Sequence, residues 1–580
     1  MLMPEHGDVE PSPATSSGPL LRRLKLSCIS VASVVVAVCV FGVGARDDPY
    51  ITFWVAEQLA KTGNIVNING AHIEQSSSLA HVVLLAVLYF VTRAPLPVLA
   101  YLVGLAGLVA TILLSARLAR RINPRSELVA ALLVALAFPL VYWATGELET
   151  DLAAASVLWF VLTLHTRVTE AQHSRWSNAA FVASAVLVAT VRPDTMIVAL
   201  VVSGVTLVAS GLCVAAPERT RWIPTIQPRG AVVAFGSVAL VTLALGLFRE
   251  LVFHSWLPQP EIAKSGGISW FNTGFSYVFS SFPYWMWLMI LVFFGLGFAW
   301  CLTRRSLVGC LAGASFAAGV LVIAFSRGDW MGGARLLAPY LAPALVLMAA
   351  GAASLPNLWR RLSVIGVVAV ECLTIVMFAN GTSWLSSEFT QLTATSADAS
   401  AADFGSPFGG SWTSTGGHVS QLPWYDSWDF ISTRDSVFLA SATPIVRRII
   451  SESDGKVVTV ASNQAGFIFY TWANDFPGKI RFIDMQGITT NDFSRCSGLT
   501  QSFAGDFMTF SHWVSVAGKC APPLPDLYFT LGPLTASALP AHEYHVVSYI
   551  SLLYDRRGLT ATIPPLYETE FMAQRNGWSP

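Results

Sequence analysis

A chain of 580 residues that is 54% hydrophobic and 12% charged, with a mean hydropathy of +0.57, is not a soluble globular protein, which carries roughly 25% charged residues. Basic and acidic residues balance at 35 each, which argues against nucleic acid as a partner. The composition predicts an integral membrane protein, and where the charges fall says more than their sum.

Residues 1–20, which contain Pro, Ser and Glu, read as a disordered tail, and residues 1–25 as a cytoplasmic one. Leu26–Gly44 is apolar and follows Arg22, Arg23 and Lys25. A signal peptide has the same order of parts. This stretch is too long for an h-region, however, and Gly44-Ala-Arg-Asp is a poor cleavage site, so a retained first helix is expected. Further apolar stretches run at about 97–116, 128–143, 152–166, 178–191, 195–213, 231–248, 284–302, 307–325, 336–353 and 362–379. With the first, they predict about 11 transmembrane helices. Leu79–Val91 is too short to span and reads as a juxtamembrane helix. The charges support that assignment. Arg117, Arg120, Arg121 and Arg125 then share the cytoplasmic side with Arg304, Arg305, Arg360 and Arg361, as the positive-inside rule requires. Residues 26–379 thus form a membrane domain.

An odd number of spans places residues 380–580 on the periplasmic face. Apolar runs there shorten to strand length, as in Val457–Ala461 and Leu527–Thr530, between Gly, Ser, Thr and Pro. A C-terminal mixed α/β periplasmic domain is expected, with Thr393–Gly417 as a Ser-, Ala- and Gly-rich mobile loop. Six cysteines (Cys28, Cys39, Cys213, Cys301, Cys310, Cys372) lie in apolar stretches and read as small core residues. Cys496 and Cys520 lie in the polar part; outside the cytoplasm they are expected to pair as a disulfide, two unrelated thiols being the alternative.

With this topology the unusual polar residues collect on one face. Asp47 and Asp48 follow the first span and open a helix-patterned run, Asp47-Asp-Pro-Tyr-Ile-Thr-Phe-Trp54, which reads as an amphipathic helix lying on the membrane. Later outer loops carry Glu147, Glu149 and Asp151, then Arg192-Pro-Asp194, then His254 to Lys264, then Ser326-Arg-Gly-Asp329-Trp330 to Arg335. Cations that neutralise a phosphate beside a carboxylate that accepts a proton are what sugar transfer from a lipid phosphate needs. Tyr50, Trp54, Trp256 and Trp330 are aromatic surfaces suited to sugar or prenyl chains.

Each of these residues also has a plainer reading. Asp48 before Pro49 fits a helix cap. Glu149 and Asp151 can cap the following helix. Arg192 and Asp194 can form a structural ion pair, and Lys264 and Arg335 can pair with loop acids or anchor at headgroups. His254 reads as an interface histidine, and His542 and His545 lack the further ligands of a metal site.

The motifs together resemble the GT-C superfamily of polyprenyl-phosphate-dependent glycosyltransferases, and within it the group that includes the mycobacterial terminal arabinofuranosyltransferases. The likeness lies in Asp47-Asp-Pro-Tyr-Ile-Thr-Phe53, Gly63-Asn-Ile-Val-Asn-Ile-Asn-Gly70 with Glu74-Gln-Ser-Ser-Ser78, Gly146-Glu-Leu-Glu149 and Arg192-Pro-Asp194. It continues in Leu257-Pro-Gln-Pro-Glu-Ile-Ala-Lys264, Gly328-Asp-Trp-Met-Gly-Gly-Ala-Arg335, Ala461-Ser-Asn-Gln-Ala-Gly466 and Asp484-Met-Gln-Gly-Ile-Thr489. The resemblance implies an inverting transfer from a polyprenyl-phosphate sugar, arabinofuranose being one candidate, to a cell-envelope glycan or protein on the outer face of the bacterial inner membrane. It makes Asp47 by preference, or Asp48, the catalytic base. Lys264, Arg335 and Arg192 become phosphate-binding residues, and Glu149, Asp194, His254, Asp329 and Trp330 surround the substrate. Two carboxylates also suit a hard divalent ion such as Mg, Mn or Ca, and members of the superfamily differ in using one. A flippase for lipid-linked saccharides is the alternative, but it should place ionisable groups near the midplane. Only Glu371 sits mid-helix. A non-catalytic scaffold would tolerate loss of the aspartates.

Overall fold

The computed structural model describes residues 19–41, 47–170, 172–218, 226–264, 274–326, 334–380, 439–490, 526–531, 544–554 and 566–575, apart from isolated positions within these ranges. Cys496, Cys520, His542 and the Thr393–Gly417 loop lie outside them.

All eleven apolar stretches are helical where described. Helix α1 (Pro19–Val36) continues as a π-helical turn to Phe41. Then come α2 (Asp47–Thr62), α3 (Leu79–Thr92), α4 (Leu96–Ile122), α5 (Glu127–Leu136), α6 (Phe138–Trp143), α7 (Thr150–Thr169), α8 (Arg175–Val191), α9 (Pro193–Ala215) and α10 (Pro228–Phe253). Short α11 (Gln259–Lys264) precedes α12 (Tyr284–Thr303), α13 (Leu307–Phe325), α14 (Ala338–Ser354) and α15 (Asn357–Asn380). Among the described residues, seven helices are long and apolar enough to cross a membrane; α3, α8 and α14 are apolar but shorter.

The expected single span at 128–143 is instead two helices that meet at Ala137, whose backbone is extended. Pro139 has no N–H for the carbonyl of Ala135. The hydroxyl of Ser33 on α1 donates to that carbonyl at 2.7 Å, so the break is satisfied by a neighbouring helix. Close helix crossings use glycine. A Cβ on Gly351 would strike the backbone of Phe293 and Gly297 on α12, so α12 and α14 approach backbone to backbone.

The C-terminal part contains a five-stranded sheet, β1 (Val458–Ser462), β2 (Ile480–Asp484), β3 (Leu527–Leu531), β4 (Tyr544–Tyr554) and β5 (Leu566–Arg575), in the order β2-β1-β3-β5-β4. β1 pairs parallel with β2 and β3, while β5 pairs antiparallel with β3 and β4. Helix α16 (Phe467–Asp475) connects β1 to β2 and buries Ile468, Phe469 and Trp472 against Val458, Val460 and Phe482. Ile68, from the loop between α2 and α3, completes this core.

Helix α2 packs Phe53, Val55 and Ala56 against Val82, Leu85 and Leu99 of α3 and α4. From the same helix Tyr50 and Trp54 meet Tyr470 of α16. It is a spacer between the helical bundle and the C-terminal domain. Its mixed apolar and polar pattern serves two protein neighbours.

Candidate functional site

The joint between bundle and domain begins at Asp47. Its side chain is buried, and its carboxylate accepts from the amides of Phe467 (2.7 Å) and Gly466 (3.1 Å), at the start of α16. Asp48 is half-buried beside it. Further along α2, Glu57 accepts from the Tyr470 hydroxyl at 2.8 Å and pairs with Lys61 at 2.6 Å. Burial raises the Tyr470 phenol well above its ordinary range, and Glu57 beside it adds to the effect. The loop Gly63–Gly70 is tied to the domain as well. Asn69 exchanges hydrogen bonds with the backbone of Phe482 at 2.7 and 2.9 Å, and Asn67 donates to the carbonyl of Thr489 at 3.0 Å. Gln259 at the start of α11 donates to the carbonyl of Gly487 at 2.8 Å.

Beneath this joint, separate loops bring their charges together. Glu74 receives a bidentate bond from Arg249 at 2.7 and 3.1 Å, both side chains being buried. Burial raises the Glu74 carboxyl, and Arg249 opposes that shift. Arg192 breaks the chain between α8 and α9. Its Nε donates to Asp194 at 2.9 Å and its Nη1 to Glu149 at 3.3 Å. The Tyr340 hydroxyl donates to the other oxygen of Asp194 at 2.8 Å. Burial works against the charge on Arg192, but Asp194 and Glu149 outweigh it and hold the guanidinium more firmly protonated than usual. Glu149 stands at the N-cap position of α7 without a side-chain capping bond, so its carboxylate serves Arg192 instead. Arg335, 8% exposed, lies over the Trp143 ring at 5.9 Å.

Two further residues stand out in the structure. Glu147 adopts a left-handed backbone, φ 59°, which is uncommon for a non-glycine residue. It is 2% exposed, its Oε2 has no partner among the described residues, and burial pushes its carboxyl up to about 8. His81 is fully buried with neither ring nitrogen partnered among the described residues; burial lowers it to about 4, partly offset by nearby Glu149. The first turn of α7 explains why Glu149 and Asp151 drew attention. The sequence shows Glu147 only as one of the outer-loop acids, because its peculiarity is a backbone angle together with burial.

The other expected residues fare differently. His254 is exposed and ends α10 in a left-handed conformation, φ 52°. Lys264 is the last residue of α11, its side chain lying outside the described residues, as do Asp329 and Trp330. Tyr50 and Trp54 are used in the joint, and Trp54 donates to the carbonyl of Asn67 at 2.8 Å. Among the described residues no three His, Cys, Asp or Glu side chains are grouped to hold a metal. Each oxygen of Asp47 accepts one N–H bond from the start of α16.

These features define a polytopic helical membrane protein with a charged site at one end of its bundle, covered by a mixed α/β domain. Solved structures similar to it include ArnT from Cupriavidus metallidurans bound to undecaprenyl phosphate, at TM-score 0.48 and 13% identity, covering 96% of this chain and 98% of that one. The archaeal oligosaccharyltransferase AglB from Archaeoglobus fulgidus, in complex with an inhibitory peptide and a dolichol-phosphate, has TM-score 0.47 and 12% identity over 88% of this chain and 70% of that one. Arabinosyltransferase EmbB from Mycobacterium smegmatis has TM-score 0.34 and 15% identity over 60% and 32%. No family model matches the chain, and no curated protein matches it. Likenesses this distant carry no residue role or substrate across.

Proposed function

We propose that the protein is an inverting membrane glycosyltransferase. It moves a sugar from a polyprenyl-phosphate donor to a cell-envelope glycan or protein, at the extracytoplasmic face of a bacterial inner membrane. The observation that supports this most is that the aspartate pair, the Glu147–Glu149 turn, Arg192 and Arg335 all stand at helix ends on one side of an apolar bundle, where Asp47 is bonded to the C-terminal domain. Charged groups are costly in such surroundings and mark function more often than packing.

In this reading the prenyl chain stays in the bilayer and its phosphate reaches the site, where Arg335 and Lys264 neutralise it. Asp48 accepts the proton of the acceptor hydroxyl. That oxygen bonds to the anomeric carbon from the face opposite the phosphate. The bond from anomeric carbon to phosphate oxygen breaks, and polyprenyl phosphate leaves with the electron pair. Arg192, already bonded to two carboxylates, is better suited to holding Glu149 and Asp194 in place than to binding the phosphate. Arabinofuranose is the sugar that the sequence resemblance favours.

The test is transfer by the purified protein in lipid nanodiscs, with a panel of polyprenyl-phosphate sugars and envelope glycan acceptors. Wild type should transfer from one donor class, and Asp48→Asn should fall by at least about a hundredfold, the usual contribution of a general base. Equal transfer by both proteins would refute the mechanism. Movement of intact lipid-linked saccharide across the bilayer, without cleavage, would establish the flippase reading instead.

A further inference from the structure

Asp47 and Gly466 are 419 residues apart in sequence, yet Asp47 does what a capping residue ordinarily does from within its own helix. The first N–H groups of any helix lack partners inside it. At α16 the capping position is Gly466, which has no side chain to offer. The Asp47 carboxylate supplies the missing acceptors, bonding the amides of Gly466 and Phe467 with its two oxygens. Negative charge at that end also suits the helix dipole. The fit is close: a Cβ on Gly466 would collide with the Asp47 backbone and crowd its carboxyl carbon. One turn further along α2, the Tyr50 ring packs on Phe467 at 4.7 Å and on Tyr470 at 5.3 Å. Beyond that, Glu57 takes the Tyr470 hydroxyl. Helices α2 and α16 are thus joined at three levels, with Asp47 at the first.

We propose that Asp47 is a positioning residue: it caps α16 from the other domain and thereby fixes its chain neighbour Asp48 and the cover over the site. The inference rests on the reading of Asp48 as proton acceptor. Each Asp47 oxygen already accepts an N–H bond at the start of α16, whereas neither bond involves Asp48. Asp48 keeps a defined place because the residue before it is bonded through its side chain and packed closely against Gly466. Docking of the C-terminal domain becomes a condition for transfer, and a chain whose domain is displaced carries a disordered base.

The experiment compares full-length wild type, Asp47→Asn, Asp47→Ala, Gly466→Ala and Asp48→Asn in nanodiscs. It reads transfer rate against pH and protection of the joint from a soluble protease. Asn keeps one acceptor oxygen for the Phe467 amide, so Asp47→Asn should stay within about tenfold of wild type, with an unshifted pH profile and a protected joint. Asp47→Ala and Gly466→Ala should each lose about tenfold to a hundredfold and expose the joint. Asp48→Asn should lose at least about a hundredfold with the joint still protected. Asp47→Asn as inactive as Asp48→Asn, behind a protected joint, would overturn the proposal by making Asp47 itself the base. If the sugar-transfer reading fails and no variant transfers, protection alone decides: an Asp47→Ala joint as resistant as wild type overturns the cap.

Discussion

Glu147 combines two features that are each costly for folding. A left-handed backbone costs a non-glycine residue on the order of 1 kcal/mol, and an unpartnered buried carboxyl oxygen costs more. Its carboxyl titrates near 8 in the folded protein against 4.5 ordinarily. Below 4.5 it is protonated in both folded and unfolded chains, and its contribution to stability is fully present. Between 4.5 and 8 the unfolded chain releases the proton and the folded one keeps it, so stability falls as pH rises, by at most about 1.4 kcal/mol per pH unit. The midpoint of thermal unfolding should therefore fall from pH 5 to pH 8 less steeply in Glu147→Gln than in wild type. Equal slopes would mean that Glu147 is already ionised. The Glu74–Arg249 pair belongs to the same scale. Glu74→Ala leaves a buried guanidinium without its carboxylate and should destabilise by about 3–5 kcal/mol, read in the same unfolding assay. A loss under about 1 kcal/mol would place Arg249 in contact with water.

At the scale of elements, apolar length and spacing made the helices legible, because a bundle buried in lipid must satisfy its backbone within each segment. Boundaries followed from Pro193 and from the Arg clusters. What pattern does not encode is the partner of a broken segment. Pro139 breaks the stretch at 128–143 that read as a single span, and only folding brings Ser33 to the freed carbonyl of Ala135. Likewise the alternation in α2 shows two kinds of neighbour without saying that one is a helix more than 400 residues away. The site was legible as a set of loops on one face, because alternating helices force that. Its internal pairing was not: Arg192 with Glu149, Glu74 with Arg249 and Asp47 with α16 depend on side-chain reach across separate elements. Glycine at the α12–α14 crossing gives a test at this scale. Gly351→Val should force the two backbones apart and lower stability by about 1–3 kcal/mol, with Gly366→Val, which meets open space, as the neutral comparison. Equal effects would show that the crossing is looser than described.

For the whole molecule, two bodies are tied by polar bonds from Asp47, Glu57, Asn67, Asn69 and Gln259, and by Ile68 inserted in the core of the C-terminal domain. The proposed transfer chemistry needs this assembly, since lipid must bring the donor from one side and a soluble domain must meet the acceptor from the other. Its central claim is a single direct displacement by an acceptor oxygen activated by one carboxylate. The anomeric configuration of the product, determined by nuclear magnetic resonance on glycan made by wild type from its active donor, tests that claim most directly. Inversion relative to the polyprenyl-phosphate sugar is the expected result. Retention of configuration would require a second displacement and a covalent intermediate, and would contradict it.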